Sequence, residues 1–254
     1  MLSTQILNIF IYFAMGFFIP VLSRFLMKFY PCSLHSYLGD ILKFNFKNKN
    51  KKNKVNKSLY IKQHKLLKKQ YLLNKILWGV LYVFLCIALS ILIKKYINKD
   101  YPLISLYIIL FLLGFSSNID NRCRLIPDII TLPLLLVGFL NAVLCENSHI
   151  SSTLIISPLN SIFSSLGAYI LCSSLALIFY FKIPYAFGGG DVKLLTSLAS
   201  FTGFENLGKI LIISFIIMVG YCGIKKEKFA PLAPFIFSSF ILWIFGEIIF
   251  EIIR

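Results

Sequence analysis

Acid is scarce in this 254-residue sequence: ten Asp and Glu stand against 26 Lys and Arg, for a formal charge of +16. Histidine is rarer still, and His35, His64 and His149 lie apart from one another, as surface or interfacial residues do. The six cysteines (Cys32, Cys86, Cys123, Cys145, Cys172 and Cys222) are scattered singly, three of them inside apolar runs where they act as small hydrophobes. No CxxC pair and no disulfide framework is visible, and no His, Cys and carboxylate cluster offers a metal centre. A cleavable export signal is missing too. MLSTQILNIFIYFAMGFFIPVLSRF has no basic residue before its apolar run and no small-residue cleavage site after it, so it reads as a retained first span.

A charge of +16 suggests either nucleic acid or an anionic membrane surface as partner. Its distribution decides. The basic residues sit beside long apolar segments, with no separate basic domain interleaved with aromatics, so membrane lipids rather than nucleic acid are the expected partner. What the chain has in excess is apolar surface: 58% of its residues are hydrophobic and its mean hydropathy is +0.81. That exceeds what a water-soluble core needs and implies an all-α, polytopic membrane bundle. Apolar runs long enough to cross about 30 Å of hydrocarbon fall near residues 5–22, 76–93, 103–118, 129–144, 161–181, 207–224 and 230–252. An eighth, 192–204, is short; it must thin the bilayer, lean on its neighbours or stop partway.

From Arg24 to Lys75 fourteen Lys and Arg face the single acid Asp40, and FKNKNKKNKVNK within that stretch is of low complexity. This loop is expected in the cytoplasm. Counting spans from it puts the N-terminus outside and brings residues 120–124, 188–191 and 225–228 to the cytoplasmic side. The basic segment 93–99 is the exception, because the same count leaves it outside.

Of the few acids, Asp120 and Asp191 stand out: one ends a span and the other starts the short one, on the same expected side. An ionisable group at such a place is a functional candidate by default. The plainer alternative makes Asp120 a solvated loop acid and Asp191 the N-cap of a helix beginning at Val192. Three glycines, Gly188, Gly189 and Gly190, exceed what a cap needs; they permit close backbone approach or unusual dihedrals beside the carboxylate. Two facing carboxylates cannot both ionise cheaply, so they share a proton, one acting as base toward a water and the other as acid toward a scissile amide. That is the chemistry of an aspartic protease dyad.

The element Asp120-Asn121-Arg122-Cys123-Arg124-Leu125-Ile126-Pro127-Asp128, followed by Thr131 and Pro133, is joined about seventy residues later by Gly188-Gly189-Gly190-Asp191-Val192-Lys193-Leu194. Together they resemble the bipartite signature of type IV prepilin peptidases, GxGD-type intramembrane aspartyl proteases. The resemblance runs from about residue 103 to the C-terminus, including Pro231 and Pro234. It implies a membrane-embedded peptidase domain at 103–254 and a distinct N-terminal region, 1–102, with its basic loop at 24–75. It also implies leader cleavage of prepilins or pseudopilins at the cytoplasmic face of a bacterial inner membrane, in pilus assembly, type II secretion or DNA uptake. By motif match Asp120 and Asp191 are the catalytic pair. Gly188, Gly189 and Gly190 shape the loop or admit an extended substrate backbone, with Gly190 and Gly188 expected to be the more sensitive. Lys193 matches the family's lysine, whose charge would act on Asp191, and Asp128 takes a structural role at a helix start.

Many members also methylate the new N-terminus with S-adenosylmethionine and carry two CxxC pairs in the first loop. The chain keeps a trace of that region in Gly16–Arg24 but has no such pairs, only Cys32 and His35 at C-x2-H spacing. The peptidase half of the pattern is complete, needs no metal, and leaves methylation open. The alternatives are a transporter or channel with a Gly-broken helix, and an inactive structural subunit of a secretion or uptake apparatus.

Overall fold

The computed structural model describes residues 2–27, 73, 75–93, 103–146, 156–182, 187–226 and 230–253. Regular structure among them is helical throughout: α1 (Leu2–Met27), α2 (Lys75–Ile93), α3 (Leu103–Cys123), α4 (Asp128–Glu146), α5 (Pro158–Lys182), α6 (Gly189–Lys225) and α7 (Ala233–Ile253). All seven are long and apolar enough to cross a bilayer, as the composition requires. A helix satisfies its own amides, which hydrocarbon cannot do.

The chain divides into two compact units, 1–85 and 86–254. In the first, α1 meets the opening turns of α2 at two glycines. A Cβ on Gly16 would lie 2.6 Å from the Trp78 carbonyl oxygen and Tyr82 Cβ, and one on Gly79 would lie 2.9 Å from the Phe13 ring. Small residues let backbones close up where lipid tails supply no hydrophobic drive toward association. The Gly16–Arg24 stretch is helical throughout. Cys32, His35, the low-complexity run and the segment 94–99 lie outside the described residues.

The second unit holds the two aspartates. Its helices also meet through small and hydroxyl-bearing residues: the Ser105 hydroxyl of α3 donates to Asn141 of α4, and Ser161 of α5 donates to the Ser200 carbonyl of α6. Gly138 of α4 faces Ser200 so closely that a Cβ would run into its hydroxyl. Interhelical polar contacts of this kind contribute about 0.6–2 kcal/mol each. Cys86, Cys145 and Cys172 are buried free thiols, whereas Cys123 at the end of α3 is disulfide-bonded, which the scattered cysteine spacing did not announce.

α6 departs most from the expected spans. The runs 192–204 and 207–224 are joined in one 37-residue helical stretch, interrupted at Gly203 with φ 79° and ψ 167°. A straight helix of that length would extend about 55 Å. The neighbours of α6 exclude this. Lys209 lies 3.6 Å from Glu247 and the Tyr221 ring lies 5.4 Å from Phe235, so residues 204–225 run antiparallel to α7 and end near its start. The first residues of α6 lie near that start as well, as the site geometry below shows. The chain therefore folds back at Gly203, and the short leg 189–202 and the longer leg 204–225 correspond to the two spans read from the sequence.

Candidate active site

Asp120 occupies the last turn of α3 and is 4% exposed. The helix stops because Arg124 adopts the left-handed conformation (φ 52°), its N–H donating at 2.8 Å to the Asp120 carbonyl. Pro127 then holds the preceding residue out of the helical region, and α4 starts at Asp128, where the sequence placed a helix start. The Asp120 carboxylate turns away from this corner: its Oδ2 accepts a hydrogen bond from the Ala233 N–H at 2.9 Å, at the first residue of α7.

Asp191 is half-buried in the first turn of α6. The helix starts earlier than expected, with Gly188 as N-cap (φ −91°, ψ 159°) and Asp191 three residues inside. Asp191 is thus not the N-cap. It reaches back, its Oδ2 accepting from the Gly188 N–H at 2.9 Å, as the inner residue of a capping box does. None of the three glycines has a positive φ; among the described glycines only Gly203 does.

The corner after α3 and the start of α6 touch. A Cβ on Gly190 would lie 3.1 Å from both the Cβ and the carbonyl oxygen of Ile126, so this glycine is required by a close approach within the chain itself. Gly188 has only the Asp191 carboxylate nearby, at 3.5 Å, and Gly189 faces open space. Lys193 Nζ lies 2.8 Å from both carboxylate oxygens of Asp128, and both side chains are about half exposed. The lysine thus pairs with the acid of a helix start rather than with Asp191. Residues 120 and 191 therefore share one end of the unit, each carboxylate pinned at one oxygen by one backbone amide. The glycine run opens α6, with Gly188 as its N-cap. Sequence reasoning did not assign a role to Ala233 or Ile126. Both act through backbone atoms, and only Pro231 and Pro234 beside Ala233 marked the place.

This region matches the family model described as "Type IV leader peptidase family" over residues 104–223. A prepilin leader peptidase/N-methyltransferase of Vibrio cholerae serotype O1 is 26% identical over 153 residues, which is 58% of this chain and 56% of the relative. The chain thus aligns with little more than half the length of that curated relative. No solved structure matches. The matched segment carries both aspartates, both touching corners and the whole of α4 and α5, and over these residues the chain is similar to the type IV leader peptidase family.

Proposed function

We propose that this protein cleaves the leader peptides of type IV prepilins or pseudopilins, with Asp120 and Asp191 as an aspartyl dyad. The observation that carries the reading is the pairing just described: two carboxylates, 71 positions apart, at one end of a helical bundle, each with its Oδ2 accepting from a backbone amide. With one proton between them, one carboxylate takes a proton from water as its oxygen bonds the scissile carbonyl carbon, while the other protonates the carbonyl oxygen. Collapse of the tetrahedral species breaks the C–N bond. The departing nitrogen takes the proton held by the first acid, the second recovers its proton from the hydroxyl, and the dyad is restored.

The site end also carries Arg122, Arg124, Lys193, Lys225 and Lys226, whereas the opposite end carries Glu146, Glu205, Glu247 and Lys209. Retention of basic residues on the cytoplasmic side supports a cytoplasmic-face cut in a bacterial inner membrane. N-methylation with S-adenosylmethionine forms no part of the proposal, because the first loop, to which the resemblance assigns it, lies outside the described residues. The test is cleavage of a synthetic prepilin-like segment by purified protein. Asp120→Asn and Asp191→Asn are each expected to abolish it, with the double variant no worse than either single. Asp128→Asn is expected to keep most of it, since an exposed ion pair is worth about 0–1 kcal/mol. Near-normal cleavage by Asp120→Asn would remove the dyad.

A further inference from the structure

The end of α3 and the start of α7 are 113 positions apart, yet the Ala233 N–H donates to Asp120 Oδ2 at 2.9 Å. Both partners are sealed off, Asp120 being 4% exposed and Ala233 0%, so bulk water does not reach this contact to replace the amide. The composition of the α7 start singles out this donor. Pro234 has no N–H, and the amides of Phe235 and Ile236 are already directed to the Leu232 carbonyl at 3.1 Å. A carboxylate removed from water needs such a donor, and the positive end of a helix adds to it.

We propose that the first turn of α7 is a positioning element for catalysis: the Ala233 amide fixes the Asp120 carboxylate by Oδ2 so that Oδ1 is presented to the reacting atoms. This rests on the dyad assignment and extends it to a residue whose side chain takes no part in the chemistry. Ala233 is thus a positioning residue acting through its backbone. Its counterpart is the Gly188 amide on Asp191 Oδ2, also at 2.9 Å, so both acids are oriented by the same device at the starts of two different helices.

The amide can be removed without disturbing the helix, because position 233 is the first helical residue, where proline's fixed φ is compatible and its missing N–H breaks no intrahelical bond. Ala233→Pro is expected to lower kcat about ten- to a hundredfold, the loss of one hydrogen bond to a charged group, with KM within about twofold. Ala233→Val has similar bulk and keeps the amide, so it should retain kcat within a few-fold. Incorporating lactic acid at position 233 replaces the N–H with an ester oxygen at almost unchanged volume, and should reproduce the proline effect even if Ala233→Pro fails to accumulate. Equal damage from Ala233→Val and Ala233→Pro would mean that volume matters and the amide does not. Wild-type kcat in the lactic acid variant would overturn the proposal while Asp120→Asn remained inactive and the dyad stood. If the wild-type protein cleaves no leader segment, the dyad reading fails separately, and the infrared carboxyl band lost in Asp120→Asn still reports. It should shift in the lactic acid variant, and an unshifted band would refute the contact.

Discussion

At the scale of single residues, the glycines before Asp191 separate by what lies behind each. Gly190 has the Ile126 backbone 3.1 Å from where a Cβ would sit, so Gly190→Ala must push the two corners of the site apart by a few tenths of an ångström. Gly189→Ala meets nothing and gains helix propensity of about 1 kcal/mol. Cleavage measured at equal protein abundance should therefore fall strongly in Gly190→Ala and stay near normal in Gly189→Ala. Gly188→Ala should be mild as well, its extended dihedrals suiting any residue, which reverses the sensitivity read from the sequence. Full activity in Gly190→Ala would mean that the corners need not touch. The motif made the acids legible because aspartate is rare in this chain and both examples adjoin spans. The motif also singled out Gly190, but not for this reason, since a contact between positions 126 and 190 leaves no trace in local spacing.

At the scale of elements, the helices were readable from length and hydropathy, because a segment that must cross hydrocarbon has little freedom in either. The break between the two legs of α6 was readable as well, but the residue that makes it was not. Gly203 sits at φ 79° and ψ 167°, a conformation that is nearly glycine's alone, and a Cβ there would also approach Ile156 Cδ1 at 3.0 Å. Gly203→Ala should therefore destabilise the protein by about 1–3 kcal/mol, read as a lower midpoint of thermal unfolding in detergent. An unchanged midpoint would show that the two legs can reverse without that dihedral. Nothing adjacent to Gly203 in the sequence distinguishes it from Gly208 or Gly220, which have open space around them. The contacts of Lys209 with Glu247 and of Tyr221 with Phe235 show that the chain has turned there.

At the scale of the whole molecule, the second unit is polarised, with basic residues gathered at the aspartate end. Single cysteines at Asn121 and Phe187, in an otherwise cysteine-free protein, should accordingly react with impermeant thiol reagents only from the cytoplasmic side. Labelling from the opposite side alone would invert the bundle and with it the face of cleavage. The contact between Asp120 and Ala233 also has a history in time. A ribosome adding about 5–20 residues per second delivers position 233 some 6–23 s after position 120. Throughout that interval α3 exists without the amide that shelters its carboxylate, and the acid must remain where water can reach it. Only when α7 arrives can the end of α3 settle to its final depth, so the proposed active centre would be assembled by a late arrival acting on an early one. A nascent chain halted before Ala233 should expose a thiol at Asn121 more fully than one halted after α7, and the protein would pass its insertion period with the proposed dyad disarmed.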